Sequence, residues 1–130
     1  MRVYRTFPPV APSSPLKLHS LWDGLLGTGT AASARLTRSA LNNAIRLQTV
    51  YPRATLPELQ SHHSVESWSK ESRESAIHDV YRDGTLLPGQ DADHATTLPA
   101  GYTQHAKEVA ERRVALAGYR LADEIRSVIR

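Results

Sequence analysis

The longest periodic stretch of the chain is residues 101–129, which read GYTQHAKEVAERRVALAGYRLADEIRSVI. Apolar side chains recur in it at three- and four-residue steps, the spacing of one face of an α-helix. Gly118 interrupts the pattern at a cost of about 1 kcal/mol relative to alanine, which a close approach by a neighbouring helix would explain. The stretch predicts a C-terminal helix from about Gly101 to Ile129 with four side chains packed inward: Val114, Ala117, Leu121 and Ile125.

Two helices are predicted in the first half of the chain. The first runs from about residue 18 to 26 and ends at Gly27, because a residue without a Cβ suits a left-handed helix C-cap. The second covers about residues 31–50 and ends before Pro52. Its apolar face is predicted to consist of Leu36, Ala40, Ala44 and Leu47.

The middle of the chain continues this helical pattern. Thr55 and Glu58 have the spacing of a capping box, which predicts a short helix through about Gln60. A third long helix is predicted over residues 65–81, followed by a loop over 82–99 that is rich in turn-forming pairs. Because strand signals are absent, we expect an all-α antiparallel bundle over residues 17–130. Residues 1–16 contain four prolines and no periodicity, and they predict an extended arm.

The composition excludes several classes of protein. The chain has 130 residues, of which 40% are hydrophobic and 22% charged, as in an ordinary globular domain. No stretch approaches the roughly 20 apolar residues of a membrane-spanning helix, and we expect no signal peptide because the first residues lack an apolar core. There are no cysteines, which excludes disulfides, thiolate zinc sites and cysteine nucleophiles. The net charge of +3 comes from basic residues dispersed among acidic ones, so a basic nucleic-acid-binding bundle is poorly supported.

His19 and Asp23 are the one pair with the spacing of a chemical site. Four residues apart in a predicted helix, they project from one face with Cβ atoms about 5–6 Å apart. An imidazole nitrogen and a carboxylate oxygen at that separation can bind one zinc ion. The same spacing also gives an ordinary hydrogen-bonded surface pair. Zinc takes three or four protein ligands, so these two residues do not complete a site.

The other five histidines are predicted to have ordinary structural roles. We expect His62 and His63 to be solvated turn residues, His78 to pack within a helix, and His94 and His105 to be exposed. Nucleophile elbows and phosphate-binding glycine loops are absent from the sequence. His19 and Asp23 therefore remain the candidate metal ligands.

Three segments carry a family resemblance. Residues 18–26 read LHSLWDGLL, and residues 68–72 read WSKES with Val80 and Tyr81 downstream. Residues 98–102 read LPAGY at the start of the last helix, which contains RVALAGYRLA at 113–122. In this order they resemble the Asn-Leu-His-x-x-Trp-Asp segment, the Trp-x-x-Glu-Ser helix and the C-terminal helix of the S1/P1 nucleases. Those zinc-dependent enzymes cut single-stranded nucleic acid and remove 3′-phosphates.

The resemblance implies an all-α domain like the C-terminal half of the phospholipase C/P1 nuclease fold, with three zinc ions in the intact family. His19 and Asp23 correspond to ligands of one of the three. Lys17 stands where the family usually has Asn. The family's zinc-binding N-terminal tryptophan and its His-Phe-x-x-Asp-x-x-Gln-Pro-Leu-His segment have no counterpart here. We therefore expect a C-terminal portion with at most one partial zinc site, inactive alone.

Completion by an N-terminal half is expected to give activity on single-stranded DNA, RNA or 3′-nucleotides. The alternative is a non-catalytic helical scaffold or interaction domain derived from the same fold. An incomplete core would leave an exposed apolar patch through which the chain associates with another molecule, and no membrane partner is expected. Family members are usually secreted or periplasmic, but the sequence leaves the compartment undetermined.

Overall fold

A computed structural model describes residues 2–4, 16–27, 33–87, 89–91 and 93–129. Its longer helices are joined by short 3-10 turns at Arg53–Thr55 and Arg82–Gly84. In chain order the remaining elements are β1 (Arg2–Tyr4), β2 (Leu16–Lys17), α1 (Leu18–Gly24), α2 (Ser33–Val50), α3 (Glu58–Ser61), α4 (Val65–Ser75), a π-helix (Ala76–Val80), β3 (Thr96–Thr97) and α5 (Tyr102–Val128).

The predicted all-α class is confirmed. Helix α5 begins and ends within one residue of its predicted bounds, and α2 ends at Val50 as expected, whereas its predicted start at residue 31 lies outside the described residues. Gly27 has the predicted positive φ, at +70°. The helix predicted over residues 65–81 consists of α4 and the π-helix that continues it. No helix in the described part of the chain is both long and apolar enough to cross a membrane.

A small three-stranded sheet, which the sequence did not predict, joins the N-terminal residues to the segment before α5. Strand β1 lies in its centre, parallel to β2 with Val3 opposite Leu16 and antiparallel to β3 with Val3 opposite Thr96. Strands of two or three residues are too short to show an alternating pattern in the sequence. Residues 5–15 of the predicted arm lie outside the described residues, and the division into an arm and a helical domain stays a prediction.

Helix α5 contributes to both hydrophobic clusters of the core. Near its start, Tyr102 and Ala106 pack with buried leucines of α1 and of the loop before α5. Further along, Leu116 packs with Leu56 and Leu59 around α3. Because α1, α2, α3 and the π-helix all contact α5, this helix sets the position of most of the other elements described.

The face of α5 that packs against the bundle differs from the predicted one. Val114, Leu121 and Ile125 are 45%, 62% and 49% exposed, and Ala117 is exposed as well, so the predicted inward packing of these four residues is wrong. The prediction was based only on the spacing of apolar residues, but two positions on the packed face are arginines. The buried or half-buried residues on that face are Tyr102, Ala106, Val109, Arg113, Leu116 and Arg120.

Two local predictions are also wrong. A Cβ built at Gly118 meets no atom within 4 Å, so no neighbouring helix of the described residues approaches it closely. The Thr55 hydroxyl donates to the Pro52 carbonyl over 2.7 Å instead of capping a helix with Glu58, because the 3-10 turn offers it a nearer acceptor. The capping box lies at the start of α4, where Ser64 and Ser67 exchange backbone-to-hydroxyl hydrogen bonds of 3.1 and 3.2 Å.

Candidate metal centre

The His19–Asp23 pair lies on the solvent side of α1. His19 Nε2 is 3.0 Å from Asp23 Oδ2, and the two side chains are 81% and 65% exposed. The predicted spacing on one helix face is therefore present, with both side chains accessible. A metal ion approaching from solvent would meet an imidazole nitrogen and a carboxylate oxygen together.

The opposite face of α1 holds the helix in place. Leu18 and Leu21 are buried in the first core cluster, and Trp22 packs edge-to-face on Tyr102 with ring centroids 6.4 Å apart. Trp22 Nε1 donates a 3.1 Å hydrogen bond to the Tyr102 hydroxyl, which in turn donates to the Val80 carbonyl over 2.8 Å. These contacts fix α1 to α5 and to the π-helix, so they also fix the orientation of His19 and Asp23.

Lys17 occupies the N-cap position of α1, and its side chain makes no capping hydrogen bond. Asparagine is among the residues preferred at an N-cap, because its side-chain oxygen accepts from a free backbone N–H of the first turn. With lysine in place of asparagine at this position, the first turn of the helix that carries His19 lacks a side-chain capping acceptor.

The pair fits two positions of a zinc site. Tetrahedral zinc with bonds of about 2.1 Å separates two donor atoms by about 3.4 Å, close to the 3.0 Å between His19 Nε2 and Asp23 Oδ2. Within the described ranges, no group of three or more His, Cys, Asp or Glu side chains could hold a metal ion. The residues described thus fit part of one zinc site, and they do not fit the cluster of three zinc ions that the resemblance implies.

Two of the other histidines differ from their predicted roles. His62 is half-buried and pairs through Nδ1 with the buried carboxylate of Glu71, so it is not merely a solvated turn residue. His78, in the π-helix, is exposed and pairs with Asp83, so it does not pack in the core.

The remaining three histidines are exposed, as predicted. His63 Nε2 lies 2.7 Å from the Gln60 carbonyl. His94 pairs with Asp91 and His105 with Asp79, at 2.7 and 3.0 Å. None of these pairs shares a residue with His19 and Asp23, so none extends the candidate zinc site.

A buried ionic cluster joins α4 to α5, and the sequence analysis assigned its residues no role. Glu71, 8% exposed, accepts hydrogen bonds of 2.6 and 2.9 Å from Arg120 and one of 2.8 Å from Arg113, and it also pairs with His62. We call these four residues the Glu71 cluster. Burial alone would raise the pKa of Glu71, but the hydrogen bonds from Arg120, Arg113 and His62 outweigh it and lower the pKa to about 2.

Trp68 covers one side of the Glu71 cluster. The Arg120 guanidinium lies 5.1 Å from the centre of the indole ring, a cation–π arrangement. Trp68 Nε1 donates to the His62 carbonyl over 2.9 Å. The sequence did contain a signal for this cluster, since Arg113 and Arg120 are seven residues apart and therefore share one face of α5.

The three segments that carry the family resemblance contact one another in the fold. The second and third meet where Glu71 binds Arg113 and Arg120. The first meets the third where Trp22 donates to Tyr102. The residues of these segments that make the contacts above thus hold the helices together, whereas the side chains of His19 and Asp23 are directed to solvent.

Comparison with known families gives one match. The family model described as S1/P1 Nuclease matches residues 10–130, nearly the whole chain and all three segments of the resemblance. Comparisons with curated proteins and with solved structures gave no match.

Proposed function

Since the chain belongs to the S1/P1 nuclease family, we propose that it takes part in zinc-dependent hydrolysis of phosphodiester bonds in single-stranded DNA or RNA, or of 3′-nucleotides. His19 and Asp23 hold one zinc ion in this proposal. The other ligands come from a separate polypeptide segment that carries the family's N-terminal ligand motif. The observation that carries the proposal is the 3.0 Å approach of His19 Nε2 to Asp23 Oδ2 on an exposed helix face.

Each group near the pair has a part in this function. When bound, zinc supplies a Lewis acid that activates water and stabilises charge on the departing oxygen. His19 binds through Nε2, and Asp23 adds the negative charge that favours a divalent cation. Leu18, Leu21 and Trp22 keep α1 from turning, which matters because misplacement by about 1 Å can cost about 100-fold in rate.

We expect the 130-residue chain to be inactive by itself. Catalysis of this type with paired metals needs ions about 3.5–4 Å apart that clamp both reacting oxygens. Two protein ligands leave the rest of a zinc coordination shell to water and bind the ion weakly, with a dissociation constant of roughly micromolar or above. The ligand-bearing N-terminal segment of the family has no counterpart in this sequence, so activity requires that it be supplied.

Zinc binding is the first test. The chain and its His19→Ala and Asp23→Ala variants are titrated with zinc against a chromophoric chelator. The matched control is His94→Ala, which removes an exposed histidine from another carboxylate pair. We expect His19→Ala and Asp23→Ala to lose zinc binding and His94→Ala to retain it. Unchanged binding in His19→Ala, with loss in a His62→Ala/His63→Ala variant, would assign the metal to another position.

Activity is the second test. A polypeptide carrying the family's N-terminal ligand segment is added to the chain with zinc and single-stranded DNA. Cleavage is expected only in the mixture, and it should disappear with chelator or with His19→Ala. Robust zinc-dependent cleavage by the chain alone would contradict the need for completion.

One observation favours a second candidate function, a non-catalytic scaffold. Glu71, Arg120, Trp22 and Tyr102 are family-like residues that are all occupied with internal contacts. Such contacts would persist in a domain that kept the fold and lost the chemistry. A mixture that assembles correctly but takes up no zinc would support this function over hydrolysis.

A further inference from the structure

The short turn after the π-helix has a left-handed backbone. Arg82 and Asp83 have φ angles of +51° and +55°, and Gly84 follows at +82°. Glycine adopts such angles freely, whereas residues with a Cβ do so at a steric cost. Backbone strain of this kind persists only where the surrounding structure imposes it, and it is concentrated at functional sites. The turn is therefore a candidate binding element.

The residues on both sides of the turn hold it rigidly. The Tyr81 carbonyl accepts hydrogen bonds of 3.0 Å from the N–H groups of both Gly84 and Leu86. Val80 before the turn and Leu86 after it pack into the core cluster that contains the leucines of α1. The side chains of Tyr81 and Arg82 therefore project from a fixed backbone.

These two side chains present an aromatic ring and a cation to solvent. Tyr81 is 40% exposed. Arg82 is exposed as well, and it forms no ion pair with any residue that the structure describes. Its guanidinium is thus available to an external anion, in contrast to the arginines that are paired with carboxylates of the chain: Arg46, Arg53, Arg112, Arg113, Arg120 and Arg126.

Two carboxylates lie close to Arg82 in the sequence, and each is bonded elsewhere. Asp83 pairs with His78. Asp79 Oδ1 lies 3.0 Å from His105 Nε2. Neither carboxylate bonds to Arg82 within the described ranges, so neither occupies its guanidinium.

Tyr81 and Arg82 lie beside the helix that carries the candidate metal ligands. Burial raises the pKa of Tyr102, the hydrogen bond from Trp22 and the charge of Arg82 lower it, and Tyr81 adds to the rise. Such effects require proximity, so both side chains lie near the Tyr102 hydroxyl, which Trp22 of α1 also contacts. We call Tyr81 and Arg82 together the Tyr81 patch. It adjoins the packed face of α1, not the face that carries the metal pair.

We propose that the Tyr81 patch binds one nucleotide of single-stranded DNA or RNA, with the base stacked on the Tyr81 ring and a phosphate on the Arg82 guanidinium. An aromatic ring beside a free guanidinium fits this ligand, because every unpaired base has a face that stacks and each nucleotide carries a phosphate anion. The choice of ligand rests on the proposed function. The patch would hold the strand at a nucleotide other than the one at the zinc pair.

Base stacking is tested with a short labelled oligothymidylate, whose binding to the full chain is followed by fluorescence anisotropy. EDTA is present throughout, so the zinc pair takes no part. We expect Tyr81→Leu to raise the dissociation constant about fivefold or more, and Tyr81→Phe, which keeps the ring, to leave it unchanged. An abasic oligomer of the same length should bind the wild type and Tyr81→Leu equally. No binding by the wild type, or no effect of Tyr81→Leu on oligothymidylate, would overturn the proposal.

The phosphate contact is tested by the salt dependence of the same binding. Arg82→Asn removes the cation and keeps a residue type that tolerates a positive φ. We expect it to weaken binding and to lower the slope of log Kd against log salt by about 0.7, the share of one phosphate contact with a single strand. Arg73→Gln is the matched control, because Arg73 is exposed on α4 away from the patch. An unchanged slope in Arg82→Asn, or an equal fall in both variants, would contradict the phosphate contact.

The Tyr81 patch and the proposed hydrolysis can fail separately. Loss of the zinc-dependent reaction, with binding of oligothymidylate still sensitive to Tyr81→Leu and Arg82→Asn, would reject the hydrolysis and support the patch. Cleavage by the completed nuclease, with a KM for single-stranded DNA that neither variant changes, would reject the patch and support the hydrolysis.

Discussion

The Glu71 cluster and the His19–Asp23 pair both join a carboxylate to basic side chains, yet they lie in opposite environments. Glu71 is enclosed between α4 and α5, where it binds two arginines and a histidine. The His19–Asp23 pair lies on the solvent side of a seven-residue helix, with most of both side chains exposed. Enclosure makes the first group part of the packing, whereas exposure leaves the second accessible from solvent, as the proposed zinc binding requires.

The comparison also distinguishes the residues expected to stabilise the fold from those expected to bind metal. Removing one member of a buried ion pair leaves an uncompensated charge in a poorly solvated place, which costs much more than breaking a solvated pair. We therefore expect changes to the Glu71 cluster to affect unfolding, and changes to the His19–Asp23 pair to affect metal binding alone.

The largest effect is expected from Glu71→Gln, which keeps the shape of the side chain and removes its charge. Arg120 and Arg113 then lose their shared counter-charge, and we expect the free energy of unfolding to fall by about 3–5 kcal/mol. Urea denaturation followed by circular dichroism measures this. Glu66→Gln is the control, because Glu66 lies on the same helix in an exposed pair with Lys70 and should change stability very little. An equal loss in the two variants would mean that burial of Glu71 contributes nothing.

The pH dependence of stability should show the same cluster. The folded pKa of Glu71 is about 2, below its ordinary value of 4.5, so its contribution is fully present above about pH 4.5 and is lost as pH falls towards 2. A depression of this size corresponds to about 3 kcal/mol. Unfolding free energies between pH 6 and 2 should fall more steeply for the wild type than for Glu71→Gln. Parallel curves would contradict the assignment.

A smaller effect is expected from Tyr102→Phe. The change removes a hydroxyl that accepts from Trp22 and donates to the Val80 carbonyl, and it leaves the ring in the core. We expect a loss of about 1–3 kcal/mol, because two part-buried polar groups lose their partner. Hydrogen exchange should show α1 losing protection more than α3, which does not contact Tyr102 through these bonds. Uniform loss of protection would mean that the hydroxyl does not specifically anchor α1.

The smallest effect on stability is expected from His19→Ala and Asp23→Ala. Both side chains are exposed, so neither variant should change the urea midpoint of the metal-free chain measurably. If zinc raises the urea midpoint of the wild type and leaves that of both variants unchanged, the pair contributes to metal binding and not to packing. A large loss of stability without metal would show that the pair is part of the packing after all.

The sequence predicted the long helices because their signals are local. The periodicity of residues 101–129 predicted α5, and Pro52 predicted the end of α2. The spacing of His19 and Asp23 predicted that the two side chains share one face of a helix. The strands were missed because two or three residues show no pattern. The packed face of α5 was missed because two of its positions hold arginines. Whether Arg113 and Arg120 face the core depends on Glu71, 42 and 49 residues away, and no local pattern contains that information.

The π-helix Ala76–Val80 has a consequence for how this chain can be aligned with its relatives. Its turn closes with the Tyr81 N–H bonded to the Ala76 carbonyl at 3.0 Å, one residue more than an α-helical turn spans. Deleting one residue here would rotate all that follows by about 100°, moving Val80 away from Tyr102 and Asp79 away from His105. A relative one residue shorter between Ser75 and Tyr81 must therefore hold this segment against its α5-like helix by other contacts, and a gap placed in this segment marks a change of that anchoring.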